Sequence, residues 1–97
     1  MIKLKHILVE KKEFQGALIK KISMATNRNN HNEARRLLAV AMGNKKLARI
    51  YAALEEINQV WGYMTPGLVH ARDRADKDLF KQAKKTYSDY EQIHGVF

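Results

Sequence analysis

The first clear periodicity in the chain is helical. Phe14, Leu18 and Ile22 stand four residues apart with Ala17 and Ala25 beside them, while Lys12, Lys20 and Lys21 lie outside or at the edge of that stripe. An apolar row at this spacing occupies one face of a helix. Upstream, Ile2, Lys3, Leu4 and Lys5 alternate over only four residues before Ile7, Leu8 and Val9 run together. Residues 1–10 therefore read as an extended arm or first helical turns. Residues 26–32, TNRNNHN, contain no apolar side chain and four asparagines, whose amides compete for backbone hydrogen bonds and favour a loop.

A second helix is expected after that loop. Asn30 and Glu33 have capping-box spacing, with Asn32 as a competing cap, and Leu37, Leu38, Ala41 and Met42 follow before Gly43. Gly43 suits the left-handed residue that ends a helix, and Asn44 suits the cap of the next. The third helix carries Leu47, Ile50, Leu54, Ile57, Trp61 and Met64 at alternating three- and four-residue steps, a heptad seam. Gly62 and the Thr65-Pro66-Gly67 sequence end it and start a fourth. With no Gly or Pro from Leu68 to His94, the fourth helix reads as one rod over 66–94, roughly 43 Å long. Its stripe of Ala71, Ala75, Leu79, Ala83, Tyr90 and Ile93 suggests self-association into a homo-oligomer. The expected fold is all-α: a small bundle of about four helices in one domain, 1–97, with helices three and four longest and antiparallel.

Residues 37–54, LLAVAMGNKKLARIYAAL, hold the one nameable pattern. Their first half resembles the helix-turn-helix segments of DNA-binding proteins: Leu38, Ala39, Met42 and Gly43 all fit. The second half departs from it, because Asn44 stands where an apolar residue belongs and Arg49 takes the buried position of the second helix. An αα-hairpin with a Gly-Asn corner accounts for the same residues.

Charge then separates the halves. The chain of 97 residues has a formal charge of +8, but residues 1–49 hold twelve Lys/Arg against three acids and residues 50–97 hold six against seven. All of the positive excess is N-terminal, a distribution that points to a polyanion-facing region. Lys45, Lys46 and Arg49 fall in the first turns of helix three, where backbone N–H groups already favour phosphate. Arg35 and Arg36 open helix two, Arg28 sits in the asparagine loop, and Lys20 and Lys21 flank helix one. These eight are the candidate nucleic-acid-binding residues. Phe14 is the only aromatic before Tyr51, so phosphate contact is expected without a base-stacking platform.

Other chemistry is poorly represented. Residues 70–78, HARDRADKD, gather one histidine and three aspartates, but the pairs Arg72–Asp76, Asp73–Lys77 and Arg74–Asp78 read as a solvated ladder rather than a metal site. Asp76 and Asp78 lack the glycine and distal glutamate of a calcium loop. There is no phosphate loop, no nucleophile motif and no cofactor fingerprint, which points away from an enzyme. The absence of cysteine fits a reducing, cytoplasmic setting, and neither a signal peptide nor a membrane span is read. Residues 10–25 have the composition of a membrane-surface helix, but Glu10 and Glu13 interrupt it and a short chain needs that apolar face for its core.

Two functions fit: a non-catalytic basic protein gripping nucleic-acid phosphates through its N-terminal half, or a compact adaptor or inhibitor binding a protein target, of the kind viruses and mobile elements encode. For the second, Trp61 and Tyr63 beside the Pro-Gly turn, with Leu79, Tyr87 and Tyr90, are the candidate interface residues. Trp61 also reads as the core residue closing the helix-three seam.

Overall fold

The computed structural model describes residues 16–97; the expected N-terminal arm and Phe14 lie outside them. Five α-helices make up the regular structure of the described residues: α1 (Gly16–Asn27), α2 (His31–Ala41), α3 (Lys45–Trp61), α4 (Pro66–Thr86) and α5 (Tyr90–Gly95). The all-helical class expected from the periodicity is what the described residues adopt.

The first two corners have the same construction. At α2–α3, Gly43 takes φ +72°, its N–H donates to the Val40 carbonyl (3.0 Å), and the Asn44 N–H donates to the Ala39 carbonyl (2.9 Å). These are the paired bonds of a Schellman stop. At α1–α2, Asn29 takes φ +60°, its N–H reaches the Thr26 carbonyl (3.0 Å), and the Asn30 N–H reaches the Ala25 carbonyl (2.9 Å). Asn is one of the few residues that tolerates this conformation. In both corners the next asparagine then caps the following helix: Asn30 Oδ1 accepts from the Glu33 N–H and Asn44 Oδ1 from the Leu47 N–H. Asn30 Nδ2 also donates to Glu33 Oε2 at 3.0 Å, completing a capping-box variant. Ala25 and Ala39, equivalent in the two corners, are both fully buried. A methyl group at that point lets successive helices approach closely.

The core is built from α1 Ile22 and Ala25, α2 Ala34, Leu38 and Ala39, α3 Leu47, Tyr51 and Leu54, α4 Ala75, Leu79 and Ala83, then Tyr87 and α5 Ile93. Packing is most extensive between α2 and α3. Asn44 bonds to Gln82, Tyr51 bonds to Asp76, and Ile57 and Trp61 line one cleft with Leu68; these pairings descend in step, so α3 and α4 run antiparallel, as expected. Asn32, weighed as a cap, instead turns into the core, where its Nδ2 donates to Met64 Sδ at 3.5 Å.

Three expectations are corrected. The rod over 66–94 is broken: α4 ends at Thr86, Tyr87 is extended (φ −114°, ψ 134°), and α5 is a separate short helix. Thr86, Tyr87, Ser88 and Asp89 are four consecutive weak helix formers, and the Thr86 hydroxyl donates to the Gln82 carbonyl at 2.8 Å. The break buries the Tyr87 ring and turns α5 back, so that Ile93 is enclosed and Phe80 meets His94 and Phe97 edge-on, each at 5.2 Å between centroids. The helix-four stripe offered for self-association is largely spent inside the chain: Leu79, Ala83 and Ile93 are fully buried and Ala75 nearly so. The heptad seam of α3 is covered only in its first part. Trp61, read as its closing core residue, is 65% exposed beside exposed Val60 and Tyr63, on an open cleft that it shares with Ile57 and Leu68.

Candidate nucleic-acid interface

The eight cations singled out in the sequence divide into two kinds. Lys20, Lys21, Arg28, Lys45, Lys46 and Arg49 are exposed. Arg35 and Arg36 are turned inward and already paired. Arg35 Nε donates to Asp76 Oδ1 at 2.9 Å and its Nη1 to the His31 carbonyl at 3.0 Å, with the guanidinium 5.8 Å from the Phe97 ring centroid. Its side chain is 14% exposed and that of Asp76 17%. Arg36 Nε donates to Glu55 Oε2 at 3.0 Å. Both fasten α2 to a later helix, so they are revised from phosphate contacts to internal struts: a guanidinium committed to a carboxylate offers a ligand little net charge.

Asp76 also accepts a hydrogen bond from the Tyr51 hydroxyl at 2.5 Å. Burial, then the hydrogen bond to Asp76 and its negative charge, push the Tyr51 phenol well above its ordinary value. It remains protonated and is a fixed donor. The ladder expected over residues 70–78 is therefore half right in placement. Asp73, Arg74, Lys77 and Asp78 are exposed, whereas Asp76 faces Arg35 and Tyr51, and Arg72 turns toward Met64. Among the described residues no group of three or more His, Cys, Asp or Glu is arranged to hold a metal ion.

At the start of α3 the geometry differs. Lys45 and Lys46 occupy its first turn with no acid among them, and Asn44 caps it at 3.1 Å from the Leu47 N–H. The same Asn44 donates through Nδ2 to Gln82 Oε1 at 2.7 Å, which fixes the beginning of α3 against the last third of α4. Between the two helices runs an open groove of about 730 Å³. Its floor is aliphatic, from Leu47, Ile50, Ala71 and Ala75; Lys46 stands on one wall and Arg74, Lys81 and Lys85 on the other, with Asp78 the one acid among the lining residues.

Arg74, Lys81 and Lys85 escape a reading of the sequence alone. They belong to the half whose charge sums to −1, but that sum counts Asp76 and Glu55, which the fold spends on Arg35 and Arg36. The signal that could have found them is spacing: positions 74, 78, 81 and 85 fall on one helix face.

The interface residues proposed for a protein partner also divide. Trp61 and Tyr63 are exposed; Leu79 is fully buried and Tyr87 nearly so, which removes both as surface contacts, and Tyr90 is half-buried against His94. A shallow cleft of about 150 Å³ lies beside Trp61 and Tyr63, lined also by Ile57, Thr65 and Leu68. No helix among the described residues is long and apolar enough to cross a membrane. Compared with known protein families, curated proteins and solved structures, the chain matches none.

Proposed function

We propose that this chain is a non-catalytic nucleic-acid-binding protein that holds phosphates at the start of α3 and along the facing wall of α4. The observation that supports this reading is Lys46, on a helix N-terminus without an acid in its first turn, facing Arg74, Lys81 and Lys85 across one groove, with Lys45 and Arg49 exposed on the same helix start. Backbone N–H groups and the helix dipole add to the attraction for a phosphate there. No aromatic lines the groove, so recognition rests on backbone charge and varies little with base sequence.

The test is fluorescence anisotropy with labelled oligonucleotides over a salt series, comparing the wild type with a Lys45→Gln, Lys46→Gln, Arg49→Gln variant. Each phosphate that is no longer neutralised flattens the dependence of log K on log salt by about 0.7 to 0.9. With three cations removed, the slope should therefore flatten by about 2 to 3. An unchanged slope removes the reading.

The exposed Val60, Trp61 and Tyr63 favour a second reading, an adaptor that docks a protein on this corner. It requires a partner complex that persists after nuclease treatment and depends on Trp61. A nucleic-acid binder loses its partners when nuclease is added.

A further inference from the structure

We infer that the groove between α3 and α4 accepts a single nucleic-acid strand in preference to a duplex. This rests on the phosphate-binding reading above and adds which form of nucleic acid the site takes.

The first argument is size. The groove is a cleft within one small helical bundle and is too small for a double helix to enter; a duplex would rest on the rims. Its volume of about 730 Å³ lies within the range of cavities that enclose small organic molecules, about 300–1,000 Å³. That is room for a short piece of one strand. The second argument is chemistry. Leu47 and Ala75 are buried, while Ile50 and Ala71 keep part of their surface open at the floor. A stacked duplex presents charged backbone and groove edges to such a surface. A single strand presents sugar and base faces, which can cover aliphatic carbon while its phosphates reach the rims.

The rims follow a backbone. Arg74, Lys81 and Lys85 are spread over about 16 Å of the α4 axis, and Lys46 faces them from the first turn of α3, just past its Asn44 cap. Four cations against the single carboxylate of Asp78 make the lining complementary to a polyanion. With an aliphatic floor in place of aromatic rings, the strand is held by phosphates and contact area rather than by stacking. Base preference is accordingly small.

The experiment uses the full chain and four labelled probes of equal length: oligothymidylate, oligouridylate, a mixed-sequence DNA single strand and its duplex. Anisotropy is followed between about 50 and 200 mM salt. The expected result is tighter binding of all three single strands than of the duplex. The four groove cations should contribute about −2.8 to the single-strand slope at −0.7 each, and a Lys81→Gln, Lys85→Gln variant should flatten it by about 1.4. Both lysines are exposed, and circular dichroism of the variant verifies its fold. A duplex bound as tightly as the single strands overturns the inference and leaves the phosphate reading standing. So does a single-strand slope that the double variant leaves unchanged, because the strand then lies elsewhere. Failure of every probe to bind near 100 mM salt overturns the underlying reading itself.

Discussion

Replacing Asp76 with Ala should cost about 3–5 kcal/mol of folding stability, most of what a marginal domain of this size has available. The carboxylate is 17% exposed and holds two groups through one oxygen: Arg35 Nε at 2.9 Å and the hydroxyl of fully buried Tyr51 at 2.5 Å. Removing one partner of a buried ion pair costs about 3–5 kcal/mol, and the residual solvent contact of Arg35 reduces that to about 2–4. The orphaned Tyr51 hydroxyl adds about 1–2, less than additively because both bonds share Oδ1. Asp76→Asn keeps an acceptor but not the charge, so it should fall between wild type and Asp76→Ala. Urea denaturation followed by circular dichroism measures these losses from the midpoints. Adding Arg35→Met to Asp76→Ala should recover about 1.5–3 kcal/mol of the summed single losses, since the uncompensated cation is then gone. A solvated i,i+4 ladder between Arg72 and Asp76, the reading invited by sequence, predicts only about 0.3–0.5 kcal/mol. A loss of that size with zero coupling to Arg35 would refute the internal strut.

Stability should fall above pH 10 because the folded Tyr51 phenol is held above its ordinary value: the unfolded tyrosine releases its proton near pH 10 while the folded one keeps it. Tyr51→Phe should cost about 1–2 kcal/mol at neutral pH but flatten that alkaline decline, read as urea midpoints from about pH 8 to 11. Asn44→Ala removes both the α3 cap and the bond to Gln82 and should destabilise by about 1.5–3 kcal/mol; a thermal shift of under one degree would mean that neither bond holds the corner. Asp78→Asn removes the one carboxylate of the groove lining and should tighten oligonucleotide binding about two- to fivefold at low salt, about 0.4–1 kcal/mol; weaker binding would show that the strand avoids this wall.

Whatever the local chain decides is legible in the sequence. Both corners are of this kind because their signals are short-range: Asn30 and Glu33 are three residues apart, and Gly43 and Asn44 are adjacent. The end of α4 is not, because its cause is only partly local. Thr86 to Asp89 contain no Gly or Pro, and a stretch of merely weak helix formers ends a helix only when tertiary burial favours the break. Here that burial is of Tyr87 and Ile93, which no window of sequence displays. Trp61 fails for the complementary reason. Its place in the seam is right, but a seam position is buried only where neighbouring side chains close over it, and the cleft that Trp61 shares with Ile57 and Leu68 stays open.

The charge map shows most clearly why residue counts and surface potential part company. Division of the chain at residue 49 assigns every surplus cation to the first half. Folding then moves charge across that division: Arg35 is matched by Asp76, 41 positions later, and Arg36 by Glu55, 19 positions later. Each pairing cancels one positive charge of the first half and one negative charge of the second. The second half is thereby left more basic at its surface than its composition, with Lys81 and Lys85 exposed on the same face as Arg74. A cleft between the two halves becomes cationic on both walls, although one wall comes from a segment of net charge −1. Ion pairs between distant helices export charge of opposite sign to the surface of each partner segment, so the electrostatic face of a small helical protein follows from which carboxylates are used internally.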